Sequence, residues 1–255
     1  MQKFHPFHSQ LYIGKGRALY CGPLQHLEDH VYGAPVLHVG IYGPFKLKVG
    51  EGDWQSYRMA VVPPGLRHAL DLAGGVHGKL FVEIDSPHAT AFRRRFPYSK
   101  GVVNALQDAD AVSCFQWIFE DDPRQPEVEQ RLDRLLPVRA DESLIDARVR
   151  KIVALIRNEP DRNHSQKELG EALGLSASRV LHLFSEQIGV PYRRYRMWKR
   201  LWLSAERLHA SDSMTMAAME SGFADATHFS HAFRDTFGVN PAPVFRKIER
   251  FERLV

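Results

Sequence analysis

Only two cysteines, Cys21 and Cys114, occur among the 255 residues, and there is no CxxC pair. A disulfide framework and a cysteine zinc site are therefore unsupported, and this cysteine usage is typical of the reducing cytosol. No apolar run approaches the roughly 20 residues that span a bilayer, which excludes a transmembrane anchor. Residues 1–6 contain no apolar signal core, so we expect a cytoplasmic protein without a membrane partner.

The sequence also lacks the common short motifs of nucleotide and hydrolase chemistry. No GxGxxG, P-loop or GxSxG sequence is present, so nucleotide binding and α/β-hydrolase chemistry have no support. Thirteen histidines are many, but no HxH or HExxH pattern occurs. We therefore expect no metal, no cofactor and no catalytic residue, and hence no enzyme.

Positive charge is concentrated in one segment rather than abundant overall. The formal net charge is only +4, from 34 basic and 30 acidic residues. Six basic residues against one acid lie between Pro191 and His209, whereas eight acids against two arginines lie between Gln107 and Asp133. A basic cluster favours an anionic partner such as the DNA backbone. The alternative is a solvated helix face.

The chain divides into a strand-rich part and a helical part. Up to about Pro97, β-branched and aromatic runs alternate with glycine and proline turns; the runs are 36–42, 45–49, 57–62 and 79–84. Such close spacing predicts a small antiparallel barrel or sandwich. We predict an α+β fold of two domains: a β-barrel at 1–98, a helical and dimerisation segment with a linker at 99–140, and an all-α domain at 141–255.

Two helices are predicted in the middle segment, at 104–119 and 126–136. The second carries Leu132, Leu135 and Leu136 on one stripe. That stripe is either intramolecular core, which is the commoner explanation, or the seam of a homodimer.

An internal repeat marks the last part of the chain. Gly174 corresponds to Gly222 at an offset of 48 residues, and Phe184 corresponds to Phe233 at an offset of 49. Each copy begins with a capping serine, reaches a glycine turn and continues into a second helix, as a helix-turn-helix does. A basic helix at 191–209 lies between the two copies. This combination favours a pair of DNA-binding helix-turn-helix units over a pair of helical hairpins without a nucleic-acid role.

The second helix of each copy has a predicted core face and a predicted outer face. The core faces carry apolar residues at helical spacing: Val180, Leu183, Phe184, Phe229, Ala232 and Phe233. The outer faces carry the side chains that can enter a major groove: Ser178, Leu181 and His182 in the first copy, and Ala226, Thr227, Ser230 and His231 in the second.

Residues from about Leu144 to Arg250 resemble the DNA-binding domain of the AraC/XylS family of bacterial transcription regulators. The segment from Ser221 to Arg246 is similar to the family signature nearly throughout. The resemblance implies two helix-turn-helix units joined by one long helix, with recognition helices in successive major grooves. It implies base contacts from the seven outer-face residues and phosphate contacts from Ser176, Arg179, Arg194, Lys199 and Arg234.

His182 and His231 depart from the family pattern, because many members have arginine there. Arginine forms the strongest bidentate pair with guanine, whereas histidine is shorter and only partly charged at neutral pH. Leu181 and Ala226 offer only apolar contact, for instance with a thymine methyl. We therefore expect base readout that is weaker than the family's usual readout or differently targeted.

The segment from Ala60 to Leu70 is similar to the second motif of small-barrel cupins and of many AraC/XylS sensory domains, with His68 at the histidine position. The companion HxH motif, which supplies most metal ligands in metallocupins, is absent, so a metal-free barrel is favoured. Aromatic and polar strand residues are candidates for an effector pocket, although each also fits an ordinary core. They are Tyr42, Trp54, Arg58, His68, His77 and Glu83.

The sequence thus predicts a sequence-specific DNA-binding transcription regulator, controlled by a small-molecule effector or by dimerisation through the N-terminal domain. The expected partners are double-stranded DNA, an effector, a second copy of the chain and, for an activator, RNA polymerase. Activation is the commoner habit of the resembled family. The alternatives are a cupin-type metalloenzyme with a helical appendage and a protein-interaction module without DNA affinity.

Overall fold

The computed structural model describes residues 8–139, 145–208 and 213–255. The predicted boundary between residues 140 and 141 lies outside the described residues, as does His209 at the end of the predicted joining helix. The strands are β1 (Ser9–Gly14), β2 (Arg17–Pro23), β3 (His26–Val31), β4 (Val36–Gly40), β5 (Phe45–Val49), β6 (Gln55–Tyr57), β7 (Met59–Val62), β8 (Arg67–Asp71), β9 (Val76–Val82), β10 (Asn104–Ala105) and β11 (Ile248–Arg253).

The helices begin after β9. They are α1 (Ala89–Arg95), α2 (Ala109–Asp121), α3 (Gln125–Leu135), α4 (Ala147–Asn158), α5 (Gln166–Leu173), α6 (Ala177–Ile188), α7 (Tyr192–Leu208), α8 (Met214–Glu220), α9 (Ala226–Phe237) and α10 (Pro241–Phe245). None of the helices in the described ranges has the length and apolar content that a bilayer span needs.

The strands form two sheets that face each other. One sheet has the order β10-β7-β4-β9-β2-β1-β11, and the other has the order β3-β8-β5-β6. Within the described part of the chain neither sheet closes on itself or pairs with the other, so the predicted closed barrel is corrected to an open two-sheet arrangement. Apolar side chains on the facing surfaces hold the sheets together, as in sandwiches.

Strand β11 corrects two further expectations. It belongs to the region predicted to be all-α, yet it forms the outer strand of the larger sheet. It also pairs in parallel with β1, so this sheet is not wholly antiparallel. Without β11, the outer edge of β1 would present a row of unpaired backbone groups.

The larger sheet separates two cores. The outer core lies between this sheet and α1 to α3, and it encloses the leucine stripe of α3, with Leu132, Leu135 and Leu136 all buried. The stripe is therefore core and not a dimer seam. The central core lies between the two sheets and continues into α4 to α7, where Phe184 and Trp198 belong to it. The helical half and the β-sheets thus share one apolar interior.

The helical repeat forms two helix-turn-helix units, α5–α6 and α8–α9, joined by α7. Ser165, Ser176, Ser213 and Asp225 cap the four helices through side-chain oxygens that accept backbone N–H groups. Each turn contains a glycine with positive φ, 64° at Gly174 and 88° at Gly222. Other residues rarely adopt this conformation, which explains why the repeat keeps glycine at both places.

Candidate nucleic-acid interface

The first unit presents α6 as a helix with one buried and one exposed face. Val180 and Phe184 are fully buried in the central core, whereas Ser178, Arg179 and His182 are exposed. Their exposure is explained by the helical period, which places them on the side opposite the core. Leu181 differs from this expectation, because it is partly buried and packs against the central core.

The second unit repeats this arrangement in α9. Phe229 and Phe233 are buried in a small core with Phe223 and Ala218. On the other side Ala226, Thr227 and His231 are exposed, together with Arg234. Ser230 is half-buried, and its hydroxyl donates to the carbonyl oxygen of Ala226 at 2.8 Å. The exposed faces of α6 and α9 are therefore equivalent surfaces of two structurally equivalent units.

The basic joining helix α7 has two chemically different sides. Arg193 and Arg194 are exposed at its start. Lys199, which the resemblance places among the phosphate contacts, is only 2% exposed, and its Nζ lies 2.8 Å from the Glu83 carboxylate and 3.6 Å from that of Asp85. In this conformation Lys199 is thus corrected from a DNA contact to a buried ion pair between α7 and the β-sheet half. Helical rotation puts it on the side facing the sheets.

One open groove brings the exposed side of α7 together with α9. It has a volume of about 560 Å³, and its walls include Arg193, Arg194 and His231. Val31 and Gly33 of the β-sheet half also line it. Sequence reasoning did not single out Arg193, although it lies in the same basic cluster as Arg194.

Comparison with known families agrees with this geometry. A family profile described as "Helix-turn-helix domain" matches residues 169–247, a stretch that runs from α5 through α10 and so includes the α6 and α9 faces. The C-terminal region is an AraC-type helix-turn-helix domain. The resemblance to the AraC/XylS family inferred from the signature segment is confirmed.

A curated relative supports the same conclusion about the AraC-type domain. The chain is 30% identical over 143 residues to the HTH-type transcriptional activator RhaS of Escherichia fergusonii. The match covers 56% of this chain and 49% of RhaS, so the chain spans about half the length of this relative.

The fold of the AraC-type domain together with the β-sheet half is similar to solved structures of ToxT from Vibrio cholerae. An apo lysine-to-alanine variant of ToxT has a TM-score of 0.64 at 14% identity, with 93% of this chain and 99% of that chain covered. ToxT with a bound unsaturated fatty acid has a TM-score of 0.58 at 15% identity, with 95% and 94% covered. At such low identity the likeness concerns the fold.

The six residues predicted to line an effector pocket do not share one cavity. Tyr42 and Trp54 are 45% and 41% exposed at the surface, and Glu83 is the partner of Lys199. Arg58 donates to the carbonyl oxygen of Ile41 at 2.6 Å. Strand alternation and turns spread these residues over different faces, which the linear sequence does not reveal.

The other two, His68 and His77, belong to a buried histidine cluster with His30 and His38. Nδ1 of His38 lies 3.0 Å from Nε2 of His77, and the ring centroids of His30 and His68 are 4.2 Å apart. Burial lowers the pKa of all four imidazoles, to about 4 for His68. Among the described residues no group of three or more His, Cys, Asp or Glu has the geometry of a metal site.

An apolar cavity of about 110 Å³ lies where the AraC-type domain meets the larger sheet. The sheet contributes Leu11, Ile13 and Phe81, while α7 contributes Trp198 and Trp202. Phe233, Phe237, Val244 and Ile248 close the cavity from the C-terminal side. Sequence reasoning missed this site because its walls come from both halves of the chain.

Lys79 is the one basic side chain among the residues that line this cavity. It is 6% exposed, and its Nζ donates to the hydroxyl of Tyr32 at 3.3 Å. No carboxylate of the described ranges pairs with it, and burial lowers the pKa of its ammonium group to about 7. Trp198, also on the cavity wall, has a buried indole N–H with no hydrogen-bond partner among the described residues.

Proposed function

We propose that the protein is a sequence-specific DNA-binding transcription regulator in which both helix-turn-helix units contact DNA. The observation that carries the proposal is the pair of exposed faces on α6 and α9, each backed by a buried apolar face. Base contacts are assigned to Ser178, Leu181, His182, Ala226, Thr227, Ser230 and His231. Phosphate contacts are assigned to Ser176, Arg179, Arg194 and Arg234, with Arg193 added because it shares the groove with Arg194 and His231.

Selection of random duplex DNA at near-physiological salt tests this proposal. We expect one enriched motif of two half-sites about one helical turn apart, because both recognition helices belong to the same chain. Selection is run with and without the ligand probes described below, because an effector can change the affinity for DNA in either direction. If neither condition enriches a motif, the regulator is excluded.

Alanine substitution of His182 and His231, which occupy equivalent positions in the two units, tests the base contacts. We expect His182→Ala and His231→Ala each to change sequence preference at its own half-site, with nonspecific affinity nearly unchanged, since each removes one base contact of about 1–3 kcal/mol. Binding to a panel of single-base variants of the selected site measures this. Lys46→Ala, on the exposed side of β5, is the control. An unchanged preference in both histidine variants would refute the assignment of the recognition helices.

We further propose that a small molecule in the inter-domain cavity controls DNA binding, and that it is a carboxylic acid with a compact apolar body. A buried lysine without an anionic partner is costly, and a carboxylate beside it removes that cost. Trp198, another residue of the cavity wall, has an indole N–H without a hydrogen-bond partner among the described residues. Cavities near 150 Å³ accept a molecule of benzene size, which sets the scale of the apolar body. The unsaturated fatty acid bound in ToxT is in keeping with this class.

Hexanoate and 1-hexanol are probes that differ in the head group alone. We expect hexanoate to bind at least about tenfold more tightly, because a charge-assisted hydrogen bond contributes roughly 1.5–3 kcal/mol. Lys79→Met should abolish this preference, whereas Lys46→Met should keep it. Since the ammonium group of Lys79 loses its proton near pH 7, hexanoate affinity should fall as the pH rises from 7 to 9. Calorimetric titration measures both effects, and equal hexanoate affinity of Lys79→Met and wild type would contradict the assignment.

A further inference from the structure

The last strand of the chain ties the second helix-turn-helix unit to the β-sheet half. Strand β11 starts directly after the region that the helix-turn-helix profile matches, which ends at residue 247. It pairs with β1 along its length, with Leu11 opposite Phe251 and Tyr12 opposite Glu252. Beyond the strand, the N–H of Leu254 donates to the carbonyl oxygen of Ile13 at 2.9 Å.

Side chains reinforce this attachment. The guanidinium of Arg250 contacts both carboxylate oxygens of Asp122, at the end of α2, and lies 2.8 Å from the Glu252 carboxylate. Leu254 is 2% exposed and belongs to the outer core. A Cβ on Gly14 would lie 2.2 Å from the carbonyl oxygen of Leu254, so the close approach requires glycine there. The strand is therefore bound by pairing, by charge and by an apolar anchor.

The tether between this strand and the second unit is short. Only Arg246 and Lys247 separate α10 from β11, and two extended residues span at most about 7 Å. The end of α9 has a second attachment, because the N–H of Glu28 on β3 donates to the carbonyl oxygen of Gly238 at 2.9 Å. The second unit cannot move far from the sheets while β11 stays paired.

The strand also reaches the inter-domain cavity. Ile248, its first residue, lines the cavity together with Leu11 and Ile13 of its partner strand β1. A molecule bound in the cavity would contact both β1 and β11 and would thereby favour the attached state.

The attached state places acidic side chains beside the second unit. Glu28 and Asp29 are exposed on β3, next to the end of α9. Carboxylates at this place repel DNA phosphates. Val31 and Gly33 of the β-sheet half also line the groove that holds Arg193 and His231, which limits how DNA can enter it.

We propose that β11 is an autoinhibitory strap, which keeps the second unit against the β-sheets and weakens DNA binding until the strand leaves β1. This inference rests on the proposed function, since it concerns regulation of the same DNA-binding surface. A ligand in the cavity then favours the state in which β11 is paired with β1. Because this state binds DNA more weakly, pairing of β11 links ligand binding to DNA affinity.

The full-length chain can be tested in an opened and a closed form. Leu254→Asp with Arg250→Glu removes the anchor and reverses the charge opposite Asp122, which opens the strap. Arg253→Glu, an exposed position on the same strand, is the matched control. The closed form uses the double variant Lys15→Cys and Val255→Cys. Both positions are exposed and lie next to Gly14 and Leu254. A short bis-methanethiosulfonate linker joins the two cysteines, and dithiothreitol removes it. The native cysteines are buried and do not compete.

We expect the opened variant to bind the selected duplex at least about fivefold more tightly than wild type and to lose its response to hexanoate. The linked protein should bind at least about fivefold more weakly than the same protein after dithiothreitol. Equal affinity of the linked and reduced protein, or tighter binding when linked, would overturn the strap.

Amide hydrogen exchange without DNA separates failure of the strap from failure of the proposed function. In α9, at residues 226–237, exchange should accelerate in the opened variant and not in Arg253→Glu. If exchange in α9 accelerates but no variant binds DNA sequence-specifically, the proposed regulator function is rejected. The conclusion that β11 tethers the second unit to the sheets is then retained. Unchanged exchange in α9 would reject the strap, whatever the DNA affinity.

Discussion

Two basic residues of one helix have opposite environments in this molecule because only one of them is buried. Arg194 is exposed and shares a groove with His231 of α9, while Lys199, five positions later on α7, is enclosed with Glu83. Burial acts to lower the pKa of Lys199, but the carboxylates of Glu83 and Asp85 outweigh this effect and raise it. The sequence shows two basic residues in one cluster and does not distinguish these environments.

The Lys199–Glu83 pair gives a prediction about stability. Lys199→Ala leaves a buried carboxylate without its partner, so we expect a loss of about 3–5 kcal/mol in the free energy of unfolding. Lys199→Met combined with Glu83→Leu removes both charges and should recover most of that loss. Urea unfolding monitored by circular dichroism measures both. Additive losses in the double variant would show that the two side chains do not act as a pair.

At the scale of elements, amphipathic helices were predictable, and strands without a strong pattern were not. The helix caps and the glycine turns of both units are local signals, so α5, α6, α8 and α9 form where the repeat predicts them. By contrast, β1, β2, β3 and β11 were not predicted. β1 and β2 form a hairpin with each other, whereas β3 pairs with β8 and β11 pairs with β1, which are distant in sequence. In β11 each apolar residue is followed by two charged ones, a pattern that local propensity alone does not assign to a strand.

The exposed side of α7 gives a prediction at this scale. If Arg194 neutralises one phosphate, Arg194→Ala should weaken binding to all duplexes alike and reduce the slope of log affinity against log salt by about 0.9. Lys46→Ala removes an equal charge on the exposed side of β5 and should leave the slope unchanged. Fluorescence anisotropy over a salt series measures the slopes. A loss confined to the selected sequence would instead identify Arg194 as a base contact.

At the scale of the whole molecule, the buried histidine cluster links stability to pH. His30, His38, His68 and His77 have pKa values lowered by burial in the native state, whereas an unfolded histidine titrates near 6.5. The unfolded chain therefore binds more protons below pH 6.5, so native stability is complete above this pH and is lost as the pH falls.

Thermal unfolding between pH 7 and pH 5 checks this linkage. We expect the melting temperature to fall, with each buried histidine costing up to about 1.4 kcal/mol per pH unit below 6.5. His68→Asn should reduce the pH dependence, while His231→Asn, at an exposed position of α9, should keep it. Equal pH dependence in His68→Asn and wild type would exclude His68 from the linkage.

The sequence by itself determined the AraC-type domain, because the period of a helix, its caps and its glycine turns are local properties that repeat within the chain. It also indicated the exposed faces of α6 and α9, since helical geometry fixes which residues oppose the core. Only the tertiary structure decided that Lys199 pairs with Glu83, that Lys79 lies at an inter-domain cavity and that β11 joins β1. Those features depend on contacts between residues far apart in sequence, and burial and charge pairing arise only when the two halves pack together.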